Sequence, residues 1–337
     1  MRFSCSLVAA LAITSSNALS FSNSLRLIRR SIPTPMSRFL STRQDNSADV
    51  TSSPMFADKG GECPAVWQAV VKDFSAMFMG PDGQCTDDAR AAIRECFHDC
   101  GSYTKSLGKS GGCDASLILA DEVNTRSENR GLQEISVKLV AMKAKFQNVS
   151  MADLIVMASN VAVVSCPGGP RINTFIGRKD STKPAPEGTL PSPYQDGETI
   201  LKLFQDKGFD AAELAALMGA HTASKANNVP NITAGTPQDT TPGKWDIEYY
   251  GQTYKAQKGM ASFPSDVSLS KQKDVGPVFK GFVNNKADWD VKFAAAMEKM
   301  QFLGGLERKD MVDCTSVLPK GTAKRDMRSA PINARVR

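Results

Sequence analysis

The chain has only two histidines, His98 and His221, and each has neighbours that give an imidazole chemical work. Arg94 and His98 are four residues apart with Phe97 beside them, a spacing that puts guanidinium and imidazole on one helical face. An arginine and a histidine turned toward a core need a partner in the cavity they face, and an anionic ligand, a peroxide or a structural carboxylate would each serve. His221 follows Leu214, Leu217 and Met218, surroundings that suit an axial ligand to a flat apolar cofactor. A buried histidine is in general more often a satisfied core residue than a ligand. The company of Arg94 and His98 is what points instead to a cofactor held between two helices.

Those residues fall on segments with helical period. Thr86–Cys100 opens with Thr86 as N-cap and Asp87 and Asp88 in the first turn, where acids favour the dipole. Ser150–Ser165 opens with Ser150-x-x-Asp153, a capping-box variant, and runs apolar to Cys166-Pro167-Gly168. Asp210–Ala226 opens with Asp210-x-x-Glu213 and sets Leu214, Leu217, Met218 and His221 on one stripe. A further helix is predicted over Asp288–Phe302. β-Branched alternation is scarce, no internal repeat stands out, and loops rich in Pro and Gly fill 180–200 and 227–245. The expectation is a mainly α protein whose long connections hold a ligand.

The 337 residues, 41% hydrophobic and 23% charged, suffice for one large domain or two lobes and exclude coiled coil, collagen and wholesale disorder. No apolar run reaches the length of a membrane span. The net charge of +6 belongs to the ends: residues 1–44 carry six Arg and no acid, residues 319–337 six bases against Asp326, and the body between them 29 bases against 34 acids. An acidic body argues against nucleic acid as a partner. Residues 1–20 read as a secretory signal peptide, with Arg2, the apolar stretch Leu7–Thr14 and small residues near Asn17–Ser20. Residues 21–57 read as a transit-like segment or pro-segment with a polar linker, and 319–337 as a basic tail. Cys5 leaves with the signal. The seven remaining cysteines form no paired metal-binding pattern and read as disulfides plus one free thiol, six cysteines allowing 15 pairings. Asn148 and Asn231 begin Asn-x-Ser/Thr sequons.

Three blocks then stand in register: Arg94-x-x-Phe97-His98-Asp99, Gly112-Cys113-Asp114-Ala115-Ser116 and Gly219-Ala220-His221-Thr222. Their order and spacing resemble the haem peroxidase superfamily of plants, fungi and bacteria, over roughly residues 60–318. The stretch from Ser150 through Pro319 is most similar to the secreted fungal branch that includes lignin and manganese peroxidases, and the Gly-Cys-Asp-Ala-Ser block to the secreted plant branch. The resemblance implies a mainly α, two-lobed fold over 58–318, with a distal lobe to about 180, a proximal lobe from about 181, and haem b between a distal and a proximal helix. It implies that His221 binds the haem iron and that Asp266, in Phe263-Pro264-Ser265-Asp266-x-x-Leu269, takes its other ring proton. His98 matches the distal base acting on H2O2, Arg94 the cation that stabilises the developing charge, and Phe97 a wall over the haem. Asn129, in Ser127-Glu128-Asn129-Arg130-Gly131-Leu132, matches the residue that fixes the His98 tautomer, with Asn124 a rival. Two structural Ca2+ are implied as well, one on Asp99, Gly112 (backbone), Asp114 and Ser116, the other on Thr222, Asp239, Thr241, Lys244 (backbone) and Asp246, all hard oxygen donors. The implied disulfides are Cys85–Cys166, Cys63–Cys314 and Cys100–Cys113, leaving Cys96 buried and free.

The activity so implied is reduction of H2O2 to water through an Fe(IV)=O intermediate, with one-electron oxidation of small phenolic or aromatic donors, by a secreted monomer that responds to oxidative stress. Departures narrow the donor. The three acids of the manganese site correspond to Asp87, Ala91 and Asn227, the surface Trp for bulky donors to Ala216, and the ascorbate-binding Arg to a position near Pro230. The aromatic beside the proximal His corresponds to Gln238, which leaves the second oxidising equivalent on the porphyrin. Pro191-Ser192-Pro193 resembles a loop near the haem edge. The alternatives are an ascorbate-type plastid peroxidase delivered by a two-part presequence, and a catalytically silent secreted protein that holds haem or calcium.

Overall fold

A computed structural model describes residues 61–227 and 229–321. The signal peptide read at 1–20, the segment 21–57 and the basic tail beyond Gly321 lie outside the described residues. Within them the order begins α1 (Val66–Phe78), α2 (Asp87–Cys100), α3 (Ser116–Leu119), α4 (Glu122–Thr125), α5 (Gln133–Lys145) and α6 (Met151–Ser165). It continues with β1 (Phe175–Ile176), α7 (Gly197–Lys207), α8 (Ala211–Met218), β2 (Lys225–Ala226), β3 (Thr236–Pro237), α9 (Glu248–Tyr254), α10 (Pro264–Leu269), α11 (Val275–Gly281), α12 (Lys286–Met300) and β4 (Val312–Asp313). The mainly helical expectation is met. The strands make two antiparallel ladders only, β1 with β4 and β2 with β3.

Every residue of α6 is buried, so this helix has no solvent face and serves as a central post. Helices α1, α2 and α5 pack against it, and α2 also touches α1, α3 and α5. The C-terminal helices gather around α8, which packs on α7, α11 and α12, while α9 and α10 touch each other and α11 or α7. A buried aromatic cluster fills this second set: Trp245 stacks on Trp289 at 5.2 Å, and Tyr250 meets Trp289 edge-on at 5.7 Å.

The helix starts follow their caps. Thr86 accepts from the Ala89 amide at the head of α2, and Asp210 and Glu213 form a complete capping box at the head of α8. Two expectations need correction. Ser150 caps α6 through the Asp153 amide, but the Asp153 carboxylate does not reach back; it binds the Gly177 and Arg178 amides and the Arg178 guanidinium, closing a buried ion pair. The helix predicted over 210–226 ends at Met218, and Gly219–Ala223 continue as a 3-10 turn. The carbonyls that the next α-turn needs are taken by ring donors: Tyr250 Oη donates to Ala215 O at 2.9 Å and Trp289 Nε1 to Ala216 O at 3.0 Å. Gly219 is required there, because a Cβ would stand 2.4 Å from the Trp289 indole. His221 therefore sits on a tight turn at the end of the helix rather than in its middle.

Three disulfides close the fold: Cys63–Cys314, Cys85–Cys166 and Cys100–Cys113, with Cys96 buried and free. The first joins the two ends of the described chain, the second ties the entry of α2 to the exit of α6, and the third ties the exit of α2 to the loop before α3. Lys207, buried at the end of α7, adds a tethered cation: its ammonium donates to the carbonyls of Gly101, Tyr103 and Thr189 at 2.6, 3.1 and 2.6 Å. The loop that leaves α2 and the connection between β1 and α7 are thus tied to one buried cation. No helix of the described residues is long and apolar enough to cross a membrane.

Candidate active site

Helix α2 presents Arg94 and His98 side by side, one turn apart. His98 Nδ1 lies 2.8 Å from Asn129 Oδ1. The Asn129 amide has a fixed sense, because its Nδ2 donates to the Glu122 carbonyl at 3.0 Å, and a carbonyl can only accept. Oδ1 therefore faces the ring, Nδ1 must carry the proton, and Nε2 is left with a lone pair. Arg94 Nε–H donates to that Nε2 at 3.1 Å, while its other nitrogens donate to Arg130 O at 3.0 Å and Glu128 O at 2.8 Å. Burial depresses the His98 pKa to about 3, with the Arg94 charge adding to it and the Asn129 bond opposing it. Burial also lowers the Arg94 pKa, to about 10, which leaves the guanidinium charged at neutral pH. Phe97 stands edge-on to His98 at 5.6 Å and stacks on Phe204 at 6.2 Å. Asn124, the rival for His98, is instead bonded to Asp121 at the surface.

His221 belongs to the second set of helices. Its Nδ1–H donates to Asp266 Oδ2 at 2.9 Å, and its Nε2 has no hydrogen-bond partner among the described residues. The side chain keeps 38% of its surface open while Asp266 is buried. Burial works against protonation of His221, but the charge and hydrogen bond of Asp266 outweigh it and raise the pKa; Arg94 is near enough for its charge to oppose them. That effect places Arg94 within electrostatic reach of His221. Tyr249 and Phe263 hold the ring edge-on, at 5.6 and 5.9 Å.

Two oxygen-rich sets flank the histidines. Next to His221, the Thr222 hydroxyl lies 2.6 Å from Asp239 and 3.3 Å from Asp246, and the Thr241 hydroxyl 3.3 Å from Asp239 and 3.0 Å from Asp246. Burial raises the Asp239 pKa to about 6, with the Asp246 charge contributing. Next to His98, Asp99 is buried and accepts the Ala115 and Leu117 amides. Burial lifts its pKa well above normal, with Asp114 the next cause. Ser116 Oγ is buried without a partner. Gly112 takes a φ of 106°, and a Cβ there would meet the Leu303 carbonyl at 2.6 Å, so the turn that presents this set admits only glycine. Each set has two acids; among the described residues no group of three or more His, Cys, Asp or Glu could hold a metal. The remaining donors are hydroxyls and carbonyls, which suit a hard cation and not zinc.

Of the three positions that resemble a manganese site, Asp87 is exposed and ion-paired to Arg90 at 2.5 Å and Lys225 at 3.0 Å, and Asn227 accepts from the Gly235 amide. Sequence reasoning missed the Glu122 carbonyl that orients Asn129, the Tyr249 ring against His221, and the bonds Gln238 makes. None of these has a local signal: a backbone carbonyl is not residue-specific, and the other contacts span loops.

A family model described as Peroxidase matches residues 66–285. Manganese peroxidase 3 of Phlebia radiata is 31% identical over 260 residues, covering 70% of this chain and 71% of its own length. Ligninase LG2 of Phanerodontia chrysosporium is 32% identical over 285 residues, covering 75% and 74%. Versatile peroxidase VPS1 of Pleurotus eryngii is 29% identical over 259 residues, covering 70% of each.

Proposed function

The chain belongs to the peroxidase family, and on that premise we propose that it is a haem-dependent enzyme that reduces hydrogen peroxide to water and takes electrons singly from small phenolic donors. The observation that carries the reading is the state of His98: Nδ1 holds a proton for Asn129, Nε2 is basic, and the Arg94 cation lies against that nitrogen. The residues fit haem, because His221 offers an uncommitted, partly open Nε2 on a ring oriented from behind by a carboxylate. Bound there, haem would supply an iron that takes one peroxide oxygen and draws electrons from donors.

The protein's part is proton and charge management. His98 takes a proton from one peroxide oxygen at Nε2 and returns it to the other, which leaves as water as the O–O bond breaks. Peroxide displaces the Arg94 Nε–H from that lone pair, and the guanidinium stabilises the charge that develops as the O–O bond breaks. Asn129 keeps the tautomer correct throughout. Asp266 holds His221 by Nδ1, and Phe97 stands against His98. The two oxygen sets would hold Ca2+: a buried carboxylate beside a second acid in each set, Asp99 and Asp239, and the orphaned Ser116 hydroxyl are what a hard cation relieves. The Asp87 ion pairs speak against Mn2+ as donor. Three disulfides support passage through an oxidising compartment, as expected of a secreted monomer with lobes meeting near residue 180.

The test is purified protein reconstituted with haem, mixed with peroxide and then with phenol, ascorbate, cytochrome c or Mn2+. A visible spectrum that changes within milliseconds of adding peroxide, and turnover fastest with phenol, support the reading; an inert spectrum refutes it. His98→Ala should bind haem yet react with peroxide roughly 100- to 10,000-fold more slowly, the range for a lost general base, and a near-normal rate would remove His98 from the reaction.

A further inference from the structure

Behind the His221 ring lies a donor that the reading above leaves without a task. Gln238 is 1% exposed. Its backbone amide is bonded to Ser224 O at 3.2 Å, and Pro237 O accepts from the Ala261 amide at 2.8 Å, so the root of the side chain is fixed. Its Nε2 donates to Asp266 Oδ2 at 2.8 Å, the same oxygen that accepts Nδ1–H of His221 at 2.9 Å. Nε2 and the His221 Nδ1 lie 3.3 Å apart, two donors converging on one acceptor. The amide cannot be turned over, since Oε1 would then meet a carboxylate oxygen. Oε1 itself is buried without a partner, as is the Tyr249 hydroxyl. An amide carried into the core with half its capacity unused is costly, and its one side-chain hydrogen bond goes to the carboxylate that orients His221.

We propose that Gln238 is a positioning residue: by sharing Asp266 Oδ2 with the Nδ1–H of His221 it weakens the Asp266–His221 hydrogen bond and raises the reduction potential of the iron His221 would hold. The inference rests on the peroxidase reading and deepens it. A carboxylate oxygen that accepts two N–H groups gives less electron density to each. A His221 bonded to a weaker acceptor has less imidazolate character and donates less to a metal on Nε2. The less it donates, the less the ferric state is favoured over the ferrous. Removing the Gln238 N–H restores the full pull of Asp266, so the ferric state gains.

Gln238→Met removes the donor at nearly constant shape. In the haem-loaded protein the ferric/ferrous midpoint should fall by about 59 mV, a tenfold change for one electron. In the haem-free protein the Nδ1–H proton of His221 should move downfield in the NMR spectrum as its bond to Asp266 tightens. Gln238→Leu should do the same and covers the case in which Gln238→Met loads poorly. A midpoint and a proton resonance that stay put, or move the other way, in variants that bind haem and react with peroxide overturn the role of Gln238 and leave the peroxidase reading intact. Failure of the wild-type protein to take up haem overturns both.

Discussion

The residue with the most to do is His98, and its environment is arranged to keep it neutral. Burial and the Arg94 guanidinium both act against protonation, more strongly than the Asn129 bond acts for it. The reaction with peroxide should therefore hold level from about pH 8 to about pH 5, through the range where an unperturbed histidine of pKa near 6.5 titrates, and fall only as pH approaches the depressed value. Arg94→Leu removes one of the two depressing influences, so its break should move upward in pH. The same substitution should slow the reaction by roughly 100- to 1,000-fold through the lost stabilisation of charge. Stopped-flow rates across pH check both points; a wild-type break near 6.5 contradicts this account of the site.

At the scale of the element, α2 carries a second unusual group, next to Arg94 in sequence. Glu95 is fully buried; its Oε1 lies 2.7 Å from Ser136 Oγ on α5, and its Oε2 has no partner. Ser136 also lies 2.9 Å from the Leu132 carbonyl, and its single hydroxyl proton serves one contact at a time. A protonated Glu95 lets both contacts carry a proton. In accord with that, burial raises its pKa to about 8 against the opposing Ser136 bond and Arg94 charge. The folded protein keeps this proton between about pH 4.5 and about pH 8, where the unfolded chain has lost it. The contribution is complete below the unfolded value and is lost as pH rises through the folded one. Glu95→Gln, which is neutral at every pH, should flatten the decline in stability over that window and gain on the order of 2–4 kcal/mol relative to wild type at pH 8. Urea midpoints for both proteins at pH 5 and pH 8 decide it; parallel slopes mean that Glu95 is ionised in the folded state.

For the whole molecule, the two histidine-bearing elements belong to different helix sets, and what fixes them lies in the loops around them. The Asp99–Asp114–Ser116 set adjoins His98, the Thr222–Asp239–Thr241–Asp246 set adjoins His221, and disulfides brace α2 at both ends. A cation at a hundred times its dissociation constant contributes about 2.7 kcal/mol, and in a domain of this size each kcal/mol is worth roughly 2–4 °C. Chelation by EGTA should then lower the thermal midpoint by roughly 5–10 °C per site, with recovery on adding Ca2+. A midpoint indifferent to EGTA argues against both cation sets.

The caps Thr86, Ser150 and Asp210, the shared face of Arg94 and His98, and the mainly helical content were legible in the sequence, because each depends on residues within a turn or two of one another. Motif resemblance carried the reading further, to Asn129, Asp266 and the cysteine pairs, which the fold brings together as read. Local pattern failed where a distant side chain intervened. The stripe through Leu217 to His221 gave no warning that Tyr250 and Trp289 would take the carbonyls that would have prolonged α8. Nor did the letters at 95 and 238 tell that one carboxyl would be sealed against a serine and one amide bonded to Asp266. Hydrogen-bond partners and burial across tens of residues are properties of the packed chain, and they alone decide which proton each of these groups keeps.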